Sequence, residues 1–247
     1  MMFRLMTYNI RHGGRGREAP IAAVINACTP DLVLLQEAIA PRSVERIAAA
    51  TGMEEWRAYD GQSLGFLSRT RVALAEWTRP RVSRHAFVEV VPASGALRVF
   101  GVHLAAVHAA WTEQRRLFEL RALLRSVARH QDGFHVLSGD FNTLAPGEKL
   151  DVNRLPLHLR FLAWIGGQSI RWQTIQVMLD AHYVDAYRSL HPLDPGHTFP
   201  TWDPHLRLDY AFLPESAKDR LQRCDVLDGP NAVSASDHLP LLVEFEI

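Results

Sequence analysis

Short runs rich in branched and aromatic residues, bounded by Gly, Pro, Asn or Asp, recur along the chain and read as strands. They lie at Phe3 to Ile10, Leu32 to Gln36, Leu64 to Ser68, Val72 to Trp77, Phe87 to Val91, Leu97 to Leu104, Phe134 to Leu137, Arg207 to Leu213 and Leu239 to Ile247. Between them the apolar positions take helical spacing at Ile21 to Ala27, which stops before Thr29-Pro30, at Ser43 to Ala50 ahead of Thr51-Gly52, and at Ala109 to His130. In the last, Trp111, Leu117, Leu120, Leu124 and Val127 fall near one face, while Arg115, Arg116, Glu119 and Arg125 fall elsewhere. The pattern predicts one core face and one solvent face.

No repeat, low-complexity tract or Gly/Ser linker divides the chain, so residues 1–247 are expected to form one domain. The segment from about 145 to 182 is irregular, apolar and rich in Trp, and reads as a helical insertion, since Ile175, Met178 and Leu179 follow helical spacing. Core packing is the simpler account of this stripe. A cap over an apolar leaving group, built from Trp164 and Trp172, is the functional alternative.

Composition narrows the class. The chain is 47% hydrophobic and 22% charged, enough to bury a core and too little charged for disorder. The 27 basic and 27 acidic residues cancel, so no global field draws nucleic acid, although all the basic residues except Lys149 and Lys218 are arginines. Cys28 and Cys224 make no disulfide framework or zinc pattern and are expected as buried thiols. Residues 1–10 lack the apolar stretch of a signal peptide, and no run of about 18 apolar residues occurs, so the expectation is a soluble cytoplasmic protein.

Candidate chemistry gathers where apolar runs end. Asn9, Glu37 and His103 each close such a run, the turn Gly139-Asp140-Phe141-Asn142 follows Val136-Leu137-Ser138, and Ser236-Asp237-His238 precedes the final strand. Residues at strand ends on one rim converge although scattered in sequence. A hard divalent cation needs oxygen ligands, which Glu37 and Asp237, assisted by the Asn9 amide oxygen, would provide. A histidine takes a proton from water when a carboxylate orients it, and His238 with Asp209 fits that pairing. The Asn142 amide and a protonated His103 would stabilise the charge of a phosphoryl transition state.

The runs Thr7-Tyr8-Asn9-Ile10-Arg11, Leu35-Gln36-Glu37, Val102-His103-Leu104, Gly139-Asp140-Phe141-Asn142, Arg207-Leu208-Asp209-Tyr210 and Ser236-Asp237-His238-Leu239-Pro240 resemble, in order and spacing, the motif set of the endonuclease/exonuclease/phosphatase superfamily. The resemblance implies an α/β fold, a four-layer α-β-β-α sandwich of two mainly antiparallel sheets flanked by helices. It also implies a Mg²⁺- or Mn²⁺-dependent phosphoesterase site with Glu37 as principal metal carboxylate and Asn9 and Asp237 beside it. Asp140 and Asn142 would orient water and hold phosphate, His238 with Asp209 would be the catalytic histidine pair, and His103 the second histidine. The proton acceptor stays open between Asp140 and His238.

Departures bear on substrate. Arg11 stands where some branches carry an acidic residue, which favours phosphodiesters and a phosphate contact. Arg69, after Ser68, resembles the family's Ser-Arg strand end, although Leu64-Gly65 replaces the usual Gly-Asn. Glu55 and Asp60 are the candidates to orient His103, and His197 to Trp202 resembles a loop on the substrate side. The expected substrate is a phosphoester, with nucleic acid, phospholipid and small-molecule diesters as the candidates, no obligate protein partner and a monomeric chain. The alternatives are a phosphomonoesterase of the same superfamily and a catalytically silent binding module on the fold.

Overall fold

Twelve strands among the described residues pair into two sheets of six, ordered β11-β12-β1-β2-β4-β3 and β5-β6-β7-β8-β10-β9. The strands are β1 Met2–Asn9, β2 Leu32–Gln36, β3 Glu55–Arg57, β4 Leu64–Ser68, β5 Val72–Thr78, β6 Phe87–Pro92, β7 Arg98–His103, β8 His135–Asp140, β9 Tyr183–Asp185, β10 Asp209–Pro214, β11 Leu221–Val226 and β12 Leu241–Glu246. The helices are α1 Glu18–Cys28, α2 Pro41–Thr51, α3 Ala110–Val127, α4 Gln173–Asp180, α5 Ala186–Leu190 and α6 Pro230–Ala235. The computed structural model describes residues 1–247 except 82, 84, 107–109, 129–132, 149–150, 155–159 and 161–171.

Three apolar layers separate four structural ones. Phe3, Leu5, Leu34, Phe66, Val88, Val99, Val136 and Val243 fill the space between the sheets. Met6, Tyr8, Val33 and Leu35 face the other way, onto Ile21, Ile25, Val44 and Ile47 of α1 and α2. Phe100, Val102, Leu137 and Phe212 meet Leu120, Leu123, Ile175 and Met178 of α3 and α4 on the far side. This is the expected α-β-β-α sandwich. Central strands buried on both faces account for runs such as Leu32 to Leu35 that are apolar throughout instead of alternating.

Only two strand pairs among the described residues are parallel, and they decide where the site lies. β1 runs parallel to β2 and β7 to β8, each pair at the middle of its sheet. β1 packs across from β8 and β2 across from β7, so four carboxyl ends emerge together. Outside the carboxyl ends of such strands, loops depart in different directions and leave a crevice. The antiparallel neighbours β10 and β12 bring their amino ends to the same rim, with Asp209 opposite Asp140 and Leu241 opposite Thr7.

Several expectations change. β3, β9 and β11 were not foreseen; the first two are three residues long and the third is a half-exposed edge, so none shows a period. Gly139 and Asp140 belong to β8 and not to a turn, whereas Arg207 and Leu208 precede β10. Gly139 has φ 151°, and a Cβ there would stand 1.9 Å from the Val102 carbonyl oxygen, so the approach of β8 to β7 beside Asp140 requires glycine. On α3 the charged residues divide: Arg115 and Arg125 reach solvent as expected, whereas Arg116 and Glu119 are 2% and 1% exposed. Arg116 is buried because Glu113 pairs it at 2.8 Å and Ala105 O accepts its Nη1 at 2.7 Å. Cys28 is half-buried, and only Cys224 is fully enclosed. In the segment from about 145 to 182, Ile175, Met178 and Leu179 lie on the helix α4 as their spacing predicts, and Trp164 lies outside the described residues.

Candidate active site

Asp140, at the last position of β8, is the centre of the crevice and 1% exposed. Its Oδ1 accepts the Asn142 N–H at 2.8 Å and its Oδ2 accepts Asn9 Nδ2 at 3.0 Å. The Nε2 atoms of His103 and His238 each stand 3.9 Å from Oδ2, beyond a direct hydrogen bond and close enough to act on one small group between them. His238 Nδ1 donates to Asp209 Oδ2 at 2.9 Å, which fixes the ring and turns Nε2 toward Asp140. The Phe199 ring packs against the imidazole, 4.8 Å between centroids.

Glu37 and Asp237 occupy the open side. Glu37 lies 3.5 Å from Asn9 Nδ2 and its Oε2 accepts the His12 backbone N–H at 2.6 Å. Asp237 Oδ2 pairs with Arg11 Nε at 3.3 Å. Four non-glycine residues around the crevice have positive φ, namely Arg11, His12, Glu37 and Asn142. Each such conformation costs of order 1–3 kcal/mol, and their concentration at one rim marks a site where geometry outranks local comfort.

Electrostatics single out the same place. Burial raises Asp140 above the ordinary carboxylate range; His238 offsets part of the shift and Asp209 reinforces it. Burial alone would lower His238, but the Asp209 carboxylate outweighs it, followed by Asp140 and Asp237, and raises the imidazole to about 10. Asp209 Oδ1 is enclosed with no hydrogen-bond partner among the described residues.

The donor set suits a hard divalent cation. Asp140, Asp209 and His238 bring ligand atoms within 4.8 Å of one another, but His238 and Asp209 are already hydrogen-bonded to each other. The half-open carboxylates Glu37 and Asp237 are the freer oxygens, and an excess of buried negative charge beside them is what a cation would relieve. Asn9 differs from expectation in one respect: its Oδ1 accepts the Arg11 N–H at 3.0 Å, while its Nδ2 separates Glu37 from Asp140.

The structure thus brings together Asn9, Arg11, Glu37, His103, Asp140, Asn142, Asp209, Asp237 and His238. It does not bring Arg69. β2 and β4 are antiparallel, with Leu32 opposite Ser68 and Gln36 opposite Leu64, so Arg69 lies at the far end of the sheet, where Nε donates to Pro30 O at 2.8 Å. Among the described residues His103 is bonded by Ser63 and not by either candidate, Glu55 or Asp60. Ser63 Oγ bonds its Nδ1, whereas Glu55 accepts the Val72 N–H. His85, also unforeseen, stacks on His103 at 4.7 Å. Ser236 Oγ donates to Asn9 O at 2.6 Å, and Thr198 Oγ1 accepts the Leu208 N–H at 3.1 Å. Isolated hydroxyls in loops leave no periodic signal, so Ser63 had none to read, and Thr198 was marked only as part of the run His197 to Trp202.

Solved structures share this architecture. The 3' phosphatase NExo from Neisseria, bound to a product DNA hairpin, superposes with TM-score 0.71 at 21% identity, over 99% of this chain and 100% of that one. An AP endonuclease from Archaeoglobus fulgidus gives 0.71 at 19% identity, with the same coverage. Humanized D. rerio TDP2 gives 0.69 at 17% identity, over 100% of this chain and 99% of that one. No curated protein matches the chain. The model of the Endonuclease/Exonuclease/phosphatase family matches residues 6–238, nearly the whole length, and the chain belongs to that family.

Proposed function

We propose that the protein is a divalent-metal-dependent phosphodiesterase acting on nucleic-acid or nucleotide diesters. The observation that carries the reading is the array Asp209, His238, Asp140, with both imidazole Nε2 atoms of the site aimed at one carboxylate oxygen. The three structural neighbours, described as a phosphatase with a DNA product, an AP endonuclease and TDP2, favour nucleic acid over phospholipid.

Glu37 and Asp237, with Asn9 adjoining, would hold Mg²⁺ or Mn²⁺, which when bound polarises a phosphoryl oxygen and offsets its charge. Asp140, raised by burial toward the pH at which it works, takes the proton from the attacking water. The water oxygen forms its bond to phosphorus as the bond to the leaving oxygen breaks. His238, held protonated by Asp209, gives its Nε2 proton to that leaving oxygen. Asn142 spends one amide hydrogen on Leu104 O at 3.0 Å and keeps the other for a phosphoryl oxygen.

The test is hydrolysis of bis-p-nitrophenyl phosphate beside p-nitrophenyl phosphate, with Mg²⁺, with Mn²⁺ and with EDTA, for the parent, Glu37→Ala and His238→Ala proteins. Metal-dependent diester cleavage lost in both variants supports the reading. Cleavage of the monoester alone replaces it with a phosphatase, and full activity in both variants overturns the site.

A further inference from the structure

The ladder of β7 and β8 ends at His103 and Asp140, and beyond it the two chains leave the sheet side by side. Leu104 N–H donates to Asp140 O at 3.0 Å and Asn142 Nδ2 donates to Leu104 O at 3.0 Å, while Asn142 holds a left-handed φ of 52°. The amide that faces the phosphoryl group is therefore aimed by a carbonyl on a loop. Its direction is only as well defined as that loop.

A buried ion pair on α3 reaches both chains. Arg116 Nη1 donates to Ala105 O at 2.7 Å, one residue beyond Leu104. Its Nε and Nη2 donate to Glu113 Oε2 at 3.1 and 2.8 Å. The same oxygen accepts Thr143 Oγ1 at 3.3 Å, one residue beyond Asn142. Glu113 Oε1 accepts the N–H and the Oγ1 of Thr174, each at 2.8 Å, and so satisfies an N–H in the first turn of α4 that the helix itself leaves open. Glu113, Arg116, Thr143 and Thr174 are all buried.

Stability alone does not call for such a pair. Desolvation offsets the attraction between enclosed charges, and apolar side chains of similar volume often serve the fold as well. What the pair adds is direction, because a planar guanidinium and a carboxylate hold their partners at fixed hydrogen-bond geometry. Burial lowers the Arg116 guanidinium, and Glu113 and then Asp140 offset part of that, so the pair lies within electrostatic reach of the carboxylate that takes the proton.

We propose that Glu113 and Arg116 are positioning residues of the phosphoryl site that act through Asn142. Arg116 fixes the loop whose Leu104 carbonyl aims the Asn142 amide, and Glu113 fixes Thr143 behind it and ties both to α4. The proposal rests on the phosphodiesterase reading above and deepens it. It also gives α4, through Thr174, a place in the frame of the site.

The test replaces both partners, Arg116→Met with Glu113→Gln, so that no unpaired charge is left behind. On bis-p-nitrophenyl phosphate with Mg²⁺, kcat is expected to fall about 10–100-fold at unchanged KM, since a misplaced donor is felt in the transition state. A double-mutant cycle reads the route: Asn142→Ala is expected to cost the paired variant less than it costs the parent, by the factor the variant has already lost. A kcat within about twofold of the parent's, or the same cost of Asn142→Ala in both proteins, overturns the proposal. Where the paired variant does not fold, Thr143→Val, which removes one hydroxyl, enters the same cycle, and losses that simply multiply overturn it. If the parent hydrolyses no ester, the function reading fails separately, and the side-chain amide resonances of Asn142 in the metal-free protein still judge the brace. They are expected to move toward those of a free amide in the paired variant, and resonances that stay in place overturn it.

Discussion

Two buried charge clusters flank the segment Arg207 to Tyr210, and they are built on opposite rules. In one, Arg207, Asp185, Glu148 and Arg188 balance two positive against two negative charges, and Arg207 lies 4.4 Å over the Tyr210 ring. In the other, Asp140, Asp209 and His238 place two carboxylates against one imidazole, with an oxygen of Asp209 unmatched among the described residues. The first cluster is balanced in charge and serves the fold, although Arg207 Nη2 has no hydrogen-bond partner among the described residues and Arg188 and Glu148 are partly open to solvent. The second is left short of positive charge: burial raises Asp140 above the ordinary carboxylate range and the neighbouring carboxylates raise His238, and such displaced groups in a crevice are the mark of a working site.

The sharpest break in the comparison is Asp209→Asn. The shape is kept, the charge that holds His238 protonated is removed, and kcat on the diester is expected to fall by about 10²–10⁴-fold. A loss below tenfold would mean that the charge of the second cluster is incidental.

Arg207→Met breaks the balanced cluster instead. It leaves Asp185 and Glu148 buried without their main counter-charge, and breaking such a pair costs about 3–5 kcal/mol. Urea denaturation measures it. A loss under about 1 kcal/mol would show that water reaches the cluster and screens it. Adding Glu148→Gln to Arg207→Met is expected to restore part of the stability, because the excess negative charge falls.

The clusters also differ in pH response. His238 is raised from about 6.5 to about 10 in the folded state. Its stabilising contribution is therefore fully present below about 6.5 and lost as pH rises through 10. Asp140, raised by burial, acts in the same direction at lower pH, since the folded state holds its proton longer. Arg207 is lowered by burial, but Tyr210, Asp185 and Glu148 more than compensate, so it stays charged and adds no slope. Urea midpoints in EDTA between pH 6 and 10 are expected to fall more steeply for the parent than for Asp209→Asn. Parallel curves would remove His238 from the account.

The second cluster was legible in the sequence and the first was not, for a physical reason. Asn9, Glu37, His103 and Asp140 each end a run apolar on both faces, and a polar residue at such a point stands out against its surroundings. Arg207 pairs with Glu148 across 59 residues, and with Asp185 on a three-residue strand that shows no period. Nothing local marks either acid as its partner. On α3, periodicity sent Arg116 and Glu119 to solvent because spacing records which way a residue points and not what covers it. The helix carries its own counter-charge in Glu113, which also accepts the Thr174 N–H at 2.8 Å and so anchors the start of α4.

The smallest effects concern the two arginines assigned to phosphate, and they show how far the unbalanced cluster reaches. Arg11 stands 3.3 Å from Asp237 with its side chain 46% exposed. A pair so open to water contributes about 0–1 kcal/mol to stability. Arg11→Ala is thus expected to leave the urea midpoint nearly unchanged and to raise KM for the diester by at most about fivefold, the equivalent of 1 kcal/mol. Arg69, bonded to Pro30 O at the other end of β4, is expected to change neither quantity when replaced by Ala. An unchanged KM in Arg11→Ala would confine that residue to its pairing with Asp237. A raised KM in Arg69→Ala would require substrate to run the length of β4, well beyond both clusters.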